Sequence, residues 1–543
     1  MHPDELNIDP SRTNWLNALP PLSDARVLKI GANDTLSALK KCGCAVIHCL
    51  TGEGAWLEDA GIHPVKHLEF IRERSIDICL VDDMTLIEAY AQDGDTGGFI
   101  RKVSGKLDEK GTLMVAFPNG AGQFMLKCAI EPILRDAGFR TIDWYVCEPS
   151  AGDPLTLYPY SLDPVRTKEE IRKGYNHAAT LAGQVKRTIK DLILHAPVRF
   201  NPLFGTLVIA SKDPAWHAGR CLKGRQVQEG HDGLGDLGDV YVKWNTKRHK
   251  YKQVGQIYAQ ASRDGHPVAI CKSSHFPYEY SWVIRQEYDV LKLLSSRHST
   301  FLEAGFTVPA PLFLESNGIR DFSVESAVRG VSISDMMMDE QQLFAFRNNI
   351  RKLLSFQMTI QTFLGENLGE LSLLSPEFLH NVSGKAHAHL DDAGRLEEYR
   401  SRAQHGDFTD VNILYDSGTG LWGIIDWEWT LAGYPPLFDA FHLISSLGYR
   451  QDPGTQKPLL ERYFDSFIDT FFRKNWFNSH VKETLRWYCG ETGVEFERAP
   501  LYFLDFLLYL CNKYRMTVNA SDYEAMHREM LSYSMNHMDL FLS

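Results

Sequence analysis

The chain of 543 residues predicts two folds in succession: an α/β first part with a doubly wound parallel sheet, then an α+β part that is strand-rich at its start and helical afterwards. Three observations carry this. Up to residue 215, short apolar runs alternate with helix-patterned stretches and glycine turns. Between 239 and 330, β-rich runs follow one another around a tight-turn signal at Arg263–His266. From 331 onward, apolar residues recur at helical spacing. A chain this long outgrows a single core, so more than one domain is expected. Hydrophobic content of 44% with 23% charged residues is globular.

In the first part, residues 27–30 read as a buried strand and Gly31–Asp34 as the turn after it. Thr35–Lys41 is a helix, Cys44–His48 a second strand, and Ile76–Asp82 a third. A helix over Gly98–Leu107 precedes the strand Thr112–Phe117. The helix Phe124–Ala137 stops at Gly138, and the strand Arg140–Cys147 follows. Strands separated by helices pair in parallel. Gly205–Lys212 can close the sheet, with a basic, helix-patterned insertion over about 165–198 before it.

Residues 216–238 are polar and glycine-rich and read as a linker. A small lobe then spans 239–330. It holds a strand over Asp239–Trp244, a hairpin of Val254–Ala261 and Pro267–Lys272, a helix over Trp282–Ser295, and strands at Phe306–Leu314 and Phe322–Gly330. The helical lobe, 331–543, opens with helices over Ser334–Leu364 and Pro376–Leu390. Its last helices carry aromatic stripes (Tyr463, Phe467, Phe471, then Tyr502, Phe503, Phe506 and Tyr509) that belong in a core.

The chemistry concentrates at His405–Leu414 and Gly423–Glu428. Asp407 and Asn412 form an Asp-x4-Asn pair, and Asp426 ends an apolar run nineteen residues past Asp407. Phosphoryl transfer needs a carboxylate at the attacking hydroxyl, oxygen ligands for Mg²⁺, and a cation on the phosphates. The bland alternative is an acidic surface hairpin, against which stands the apolar frame of Val411, Ile413, Leu414, Ile424 and Ile425. The motif HGDxxxxN followed by IDWE resembles the aminoglycoside phosphotransferase and choline kinase superfamily, which shares the protein-kinase-like fold.

That resemblance implies an ATP- and Mg²⁺-dependent kinase acting on a small-molecule or glycan hydroxyl. Asp407 would orient and deprotonate the hydroxyl, and Asn412 and Asp426 would hold the metal. Lys272 would meet the phosphates, braced by Glu287 fifteen residues later, and Asp439 would support the loop. No kinase-type glycine-rich loop is present. The cationic stretch Asn245–Lys252 either closes over phosphate or is a solvated loop.

The order "VLKIGAND", "SIDICLVDD", "GKLDEKGTLMVAFPNG" and "ILRDAGFRTIDWYVCEP" resembles a class I S-adenosylmethionine-dependent methyltransferase. The resemblance implies S-adenosylmethionine at the turn after the first strand, with Gly31 and Asp82 as its candidate contacts. Glycines beyond Gly31 are replaced by Ala32, Asn33 and Asp34, and His48 and Cys49 stand where an acidic residue is expected. A methyltransferase and a domain that scaffolds, binds a glycan or positions the substrate both remain open.

A methyltransferase-like domain ahead of a kinase-like one is similar to bacterial proteins of surface-polysaccharide assembly, which implies polysaccharide-assembly enzymes as partners. Three functions follow: a kinase, a bifunctional kinase–methyltransferase modifying a glycan end, or a non-catalytic scaffold. The net charge of −12 argues against a nucleic-acid partner. The ten cysteines lack a paired CxxC and read as free thiols, and neither a secretory signal nor a bilayer-spanning run is visible. A cytoplasmic protein is expected.

Overall fold

A computed structural model describes residues 19, 22, 24–31, 35–41, 43–51, 61–91, 94–117, 124–149, 154–159, 205–214, 240–245, 252–259, 266–274, 283–316, 321–336, 340–367, 402–432, 434, 436–450, 457–516 and 521–542. The expected insertion at 165–198, the linker 216–238, the helix Pro376–Leu390 and most of the cationic stretch after Asn245 lie outside them. The chain forms two compact units. One comprises residues 1–281 with 315–324; the other comprises 282–314 with 325–543. The boundary at 216–238 inferred from composition stays a proposal.

The first unit holds strands β1 (Arg26–Ile30), β2 (Val46–Leu50), β3 (Ile62–Val65), β4 (Ile76–Val81), β5 (Leu107–Phe117), β6 (Thr141–Pro149), β7 (Pro154–Pro159) and β8 (Gly205–Ser211). Helices α1 (Thr35–Lys41), α2 (Thr85–Tyr90), α3 (Thr96–Lys106) and α4 (Phe124–Asp136) alternate with them. β1 pairs in parallel with β2 and β4, β2 with β3, and β4 with β5. The order β6-β8-β5-β4-β1-β2-β3 therefore reverses direction between β1 and β4, as a doubly wound sheet does. β8 runs antiparallel between β5 and β6, the closing role expected for it.

Both faces of this sheet are covered, so its central strands are buried along most of their length rather than alternating. Leu28, Ile30, Cys79, Val81, Val115, Phe117, Val208 and Ala210 share one core with Phe99, Ile100 and Val103 of α3 and Ile130 and Leu134 of α4. Each Leu, Ile, Val or Phe among them contributes about 1.5–3 kcal/mol on burial. Asp95 caps α3 by accepting from the Gly98 N–H at 2.7 Å. β3 and β7 had no strand signal: β3 reads Ile-His-Pro-Val with exposed central residues, and β7 begins and ends on proline. β7 pairs with β6 on one side and with β9 (Val240–Asn245) on the other. β10 (Lys252–Ala259) and β11 (Ala269–Ser274) follow as an antiparallel hairpin.

The second unit begins with α5 (Val283–Ser295), α6 (His298–Glu303) and β12 (Phe306–Thr307). The expected strand Phe306–Leu314 is broken at Pro309, which lacks the N–H a ladder needs, into β12 and β13 (Pro311–Ser316). β13 and β14 (Asp321–Ser326) carry residues of both units. Then come β15 (Val331–Ser332), α7 (Ile333–Met336), α8 (Glu340–Glu366), β16 (Ala403–Gln404), β17 (Ile413–Asp416), β18 (Leu421–Ile424) and β19 (Leu431–Ala432). The chain continues through α9 (Phe438–Tyr449), α10 (Leu459–Phe471), α11 (Trp476–Thr492), α12 (Ala499–Met516) and α13 (Ser521–Asn536).

β12, β18, β17 and β15 form one small sheet, and β16 with β19 another. The aromatic stripes meet in the core as the pattern requires: Phe503 lies 5.0 Å from Phe441 and 4.4 Å from Phe471, centroid to centroid. Among the described residues no helix is long and apolar enough to cross a membrane.

Candidate active site

The second unit's loop 405–412 is held from beneath by one buried carboxylate. Asp439, in the first turn of α9, accepts from the His405 N–H at 2.8 Å with Oδ2 and from the Gly406 N–H at 3.0 Å with Oδ1. Gln357 on α8 donates to the same Oδ2 at 2.5 Å. Gln361 Nε2 lies 3.5 Å from that oxygen as well, so Asp439 ties two backbone groups of the loop to two amides of α8.

Gly406 has φ +76°, and a Cβ there would sit 1.9 Å from the Trp429 carbonyl oxygen, so only glycine fits. The His405 ring accepts the Asp407 N–H on Nδ1 at 3.2 Å, so Nε2 carries the proton and donates to the Ile425 carbonyl at 3.0 Å. Burial pushes its pKa down, against the charges of Asp439 and Asp407.

The Asp407 carboxylate is gripped on both oxygens. Asn412 donates from Nδ2 to the Asp407 carbonyl at 2.9 Å and to Oδ2 at 3.0 Å. Lys513, on α12, donates from Nζ to Oδ1 at 2.7 Å and to the Gly406 carbonyl at 3.2 Å. Burial alone would raise the Asp407 carboxyl. The Lys513 ammonium and its hydrogen bond outweigh burial and hold the group below its ordinary range. Lys513 was not legible as a site residue in the sequence. It lies 106 residues past Asp407, inside a stripe that reads as core.

The β17–β18 hairpin brings the third motif residue alongside. Ile413 pairs with Ile424, and the Ile425 N–H donates to the Asn412 carbonyl at 3.0 Å, so Asn412 and Asp426 leave the hairpin as near neighbours. Asp426 adopts φ 69° and ψ 57°, the left-handed region that Asp tolerates better than most residues and that marks functional turns. α5 docks on that turn: Glu287 accepts the Trp427 N–H at 2.9 Å, and Gln286 donates to the carbonyls of Glu428 and Thr430.

The carboxylates of Glu287, Asp426 and Glu428 lie within 4.8 Å of one another. Hard carboxylate oxygens of this kind suit Mg²⁺, and the Asn412 amide, holding Asp407 through Nδ2, keeps its carbonyl oxygen for the same purpose. The chain's residues therefore fit a divalent cation. Lys272 is a buried residue of β11 in the first unit, whereas Glu287 belongs to the second.

The two positions singled out for S-adenosylmethionine are engaged within the first unit. Gly31 has φ +82°, the left-handed region that favours glycine, and a Cβ there would also meet Leu86 Cδ1 at 2.5 Å. Asp82 accepts from Lys29 Nζ at 2.8 Å on Oδ1 and from Thr35 Oγ1 at 3.1 Å on Oδ2. Lys29, fully buried in β1, also donates to the carbonyls of Ile30 and Gly31. Lys29 thus offsets the Asp82 charge at the end of the neighbouring strand, while each carboxylate oxygen keeps acceptor capacity beyond these two bonds.

The C-terminal part is phosphotransferase-like. Residues 262–473 match the model of the phosphotransferase enzyme family, a span that includes Lys272, Asp407, Asn412 and Asp426. No curated protein matches the chain in sequence. Among solved structures, the chain is similar to aminoglycoside phosphotransferase APH(3'')-Id from Streptomyces rimosus, with 16% identity, 54% of this chain and 96% of that chain covered, and a TM-score of 0.29. It is also similar to the GDP and kanamycin complex of APH(2")-IIia, with 13% identity, coverage of 53% and 90%, and a TM-score of 0.34. A SAM-dependent methyltransferase from Archaeoglobus fulgidus matches with 13% identity, coverage of 37% and 92%, and a TM-score of 0.25. The strand order and the site geometry, rather than these low-scoring likenesses, carry the reading of the fold.

Proposed function

We propose that the C-terminal part transfers the γ-phosphoryl group of ATP, with Mg²⁺, to a hydroxyl of a small molecule or glycan. The observation that supports this best is the Asp407 carboxylate, held on both oxygens within a loop whose Asn412 leads by backbone hydrogen bond to the strand before Asp426. Asp407 orients the acceptor hydroxyl and takes its proton as the oxygen bonds to the γ-phosphorus and the bridging bond to ADP breaks. Its low basicity suits a transition state in which proton transfer is late and positioning does most of the work.

Asn412 and Asp426 would hold the metal, whose charge offsets that gathering on the phosphate oxygens. Lys272 on the phosphates, with Glu287 as its brace, belongs to the same proposal. A glycan acceptor of surface-polysaccharide assembly is favoured only by the succession of the two domains in the chain.

The test is ADP release from Mg·ATP by the full chain, with a mixture of sugar and alcohol acceptors. Asp407→Ala should abolish turnover and leave nucleotide affinity within about twofold, whereas Asp426→Ala should lose Mg²⁺-dependent nucleotide binding. Near wild-type turnover by Asp407→Ala defeats the assignment of this loop.

A further inference from the structure

We propose that Tyr509 and Lys513, four residues apart on one face of α12, act as a positioning brace that aims the Asp407 carboxylate at the acceptor hydroxyl. The inference rests on Asp407 being the residue that meets that hydroxyl. The Tyr509 hydroxyl donates to the Gly406 carbonyl at 2.8 Å, and Lys513 Nζ donates to the same carbonyl at 3.2 Å and to Asp407 Oδ1 at 2.7 Å. One face of one helix thus holds both the backbone before Asp407 and the side chain itself, because positions i and i+4 share a helix face.

Three features separate this from an incidental ion pair. The Lys513 side chain is 6% exposed, and an ammonium that deep needs a specific partner. Its Nζ also lies 5.1 Å from the Trp429 ring centroid, so the aromatic face fixes it from a second direction. The backbone of Trp429 is what Gly406 packs against, which makes loop, ring and ammonium one packed unit. With Lys513 on Oδ1 and Asn412 on Oδ2, the torsions that would let the carboxylate swing are stopped at both ends.

Around this group lie His405 on the loop itself, His442 and Asp439 of α9, and Asp426 after β18. Within the described residues, Lys513 is the ammonium that bonds the Asp407 carboxylate. Without it, Asp407 keeps the Asn412 contact and loses its aim. A misplacement of about an ångström costs on the order of 100-fold in rate.

The experiment is steady-state release of ADP from Mg·ATP by the full chain, with the same acceptor mixture. The proteins are wild type, Lys513→Met, Lys513→Gln, Lys513→Arg, Asp407→Asn and the double variant Asp407→Asn/Lys513→Met. A brace that works through Asp407 gives three results. Lys513→Met lowers kcat about 10- to 100-fold with KM for Mg·ATP within about twofold, and Lys513→Arg recovers most of that loss. The double variant is no slower than Asp407→Asn alone, because removing the carboxylate removes what the lysine acts upon.

Lys513→Gln replaces Lys513→Met in this comparison if the latter lacks a cooperative melt. Wild-type kcat in the folded lysine variants, or losses that multiply in the double variant, overturn the brace while leaving the role of Asp407 intact. Wild-type turnover by Asp407→Asn, or none by the wild type, overturns the phosphotransferase reading itself.

Discussion

Replacing Asp439 by alanine is the sharpest perturbation of the loop that avoids the reacting groups. The carboxylate is fully buried, and its loss strands two backbone N–H donors, those of His405 and Gly406, together with the Gln357 amide. An orphaned buried donor costs about 1–3 kcal/mol, so the two backbone groups alone come to about 2–6 kcal/mol. Part is returned because the carboxylate is itself costly to bury: burial pushes its pKa up, against the two backbone N–H bonds and the Gln357 amide.

A net loss of about 3 kcal/mol then remains, a fall of about 6–12 °C in the melting temperature of a domain this size. Differential scanning calorimetry of the full chain gives the shift, and ADP release from Mg·ATP shows whether the loop has lost its shape. A melt within about 2 °C of wild type, with turnover unchanged, would show that Asp439 does not carry the loop.

Gly406→Ala should be at least as damaging to activity, since the new Cβ is driven into the Trp429 carbonyl at a positive φ. Overpacking of about 1–3 kcal/mol adds to about 1–2 kcal/mol of left-handed strain, and chemical denaturation reads the sum. In the first unit, Lys29→Met should cost about 3–5 kcal/mol by leaving Asp82 without its buried cation, readable as a lower denaturation midpoint; an unchanged midpoint refutes the pair's importance.

Stability of the helical unit should fall with acid. Burial pushes His442 down to about 3 and His527 down to about 4, so the folded chain keeps both neutral while the unfolded chain protonates them near 6.5. Their contribution is whole above pH 6.5 and is lost as pH falls toward 4, at up to about 1.4 kcal/mol per pH unit for each. His527→Gln should flatten the slope measured by thermal melts between pH 7 and 5.

The legible parts of this molecule are those whose partners lie close along the chain or whose signal is a period. The Asp-x4-Asn loop, the hairpin and Asp426 sit within one short stretch, and the β1 and β4 cores are apolar because both faces are covered. What escaped reading depends on distant partners. The Lys29–Asp82 pair was not legible, because Lys29, 53 residues earlier, hides inside a mostly apolar strand. Lys513 hid in an aromatic stripe for the same reason. β3 and β7 escaped because pairing partners, not their own proline-bearing sequences, make them strands.

Gly406 and Asp407 take their outermost hydrogen bonds from residues 103 and 106 positions further along the chain. At a synthesis rate of about 5–20 residues per second, roughly 5–20 s separate the emergence of the loop from that of α12. During that interval the nascent chain carries the proposed catalytic carboxylate without its lysine. On the proposed mechanism, competence for chemistry is conferred late in synthesis, by a helix far along the chain from the loop it holds.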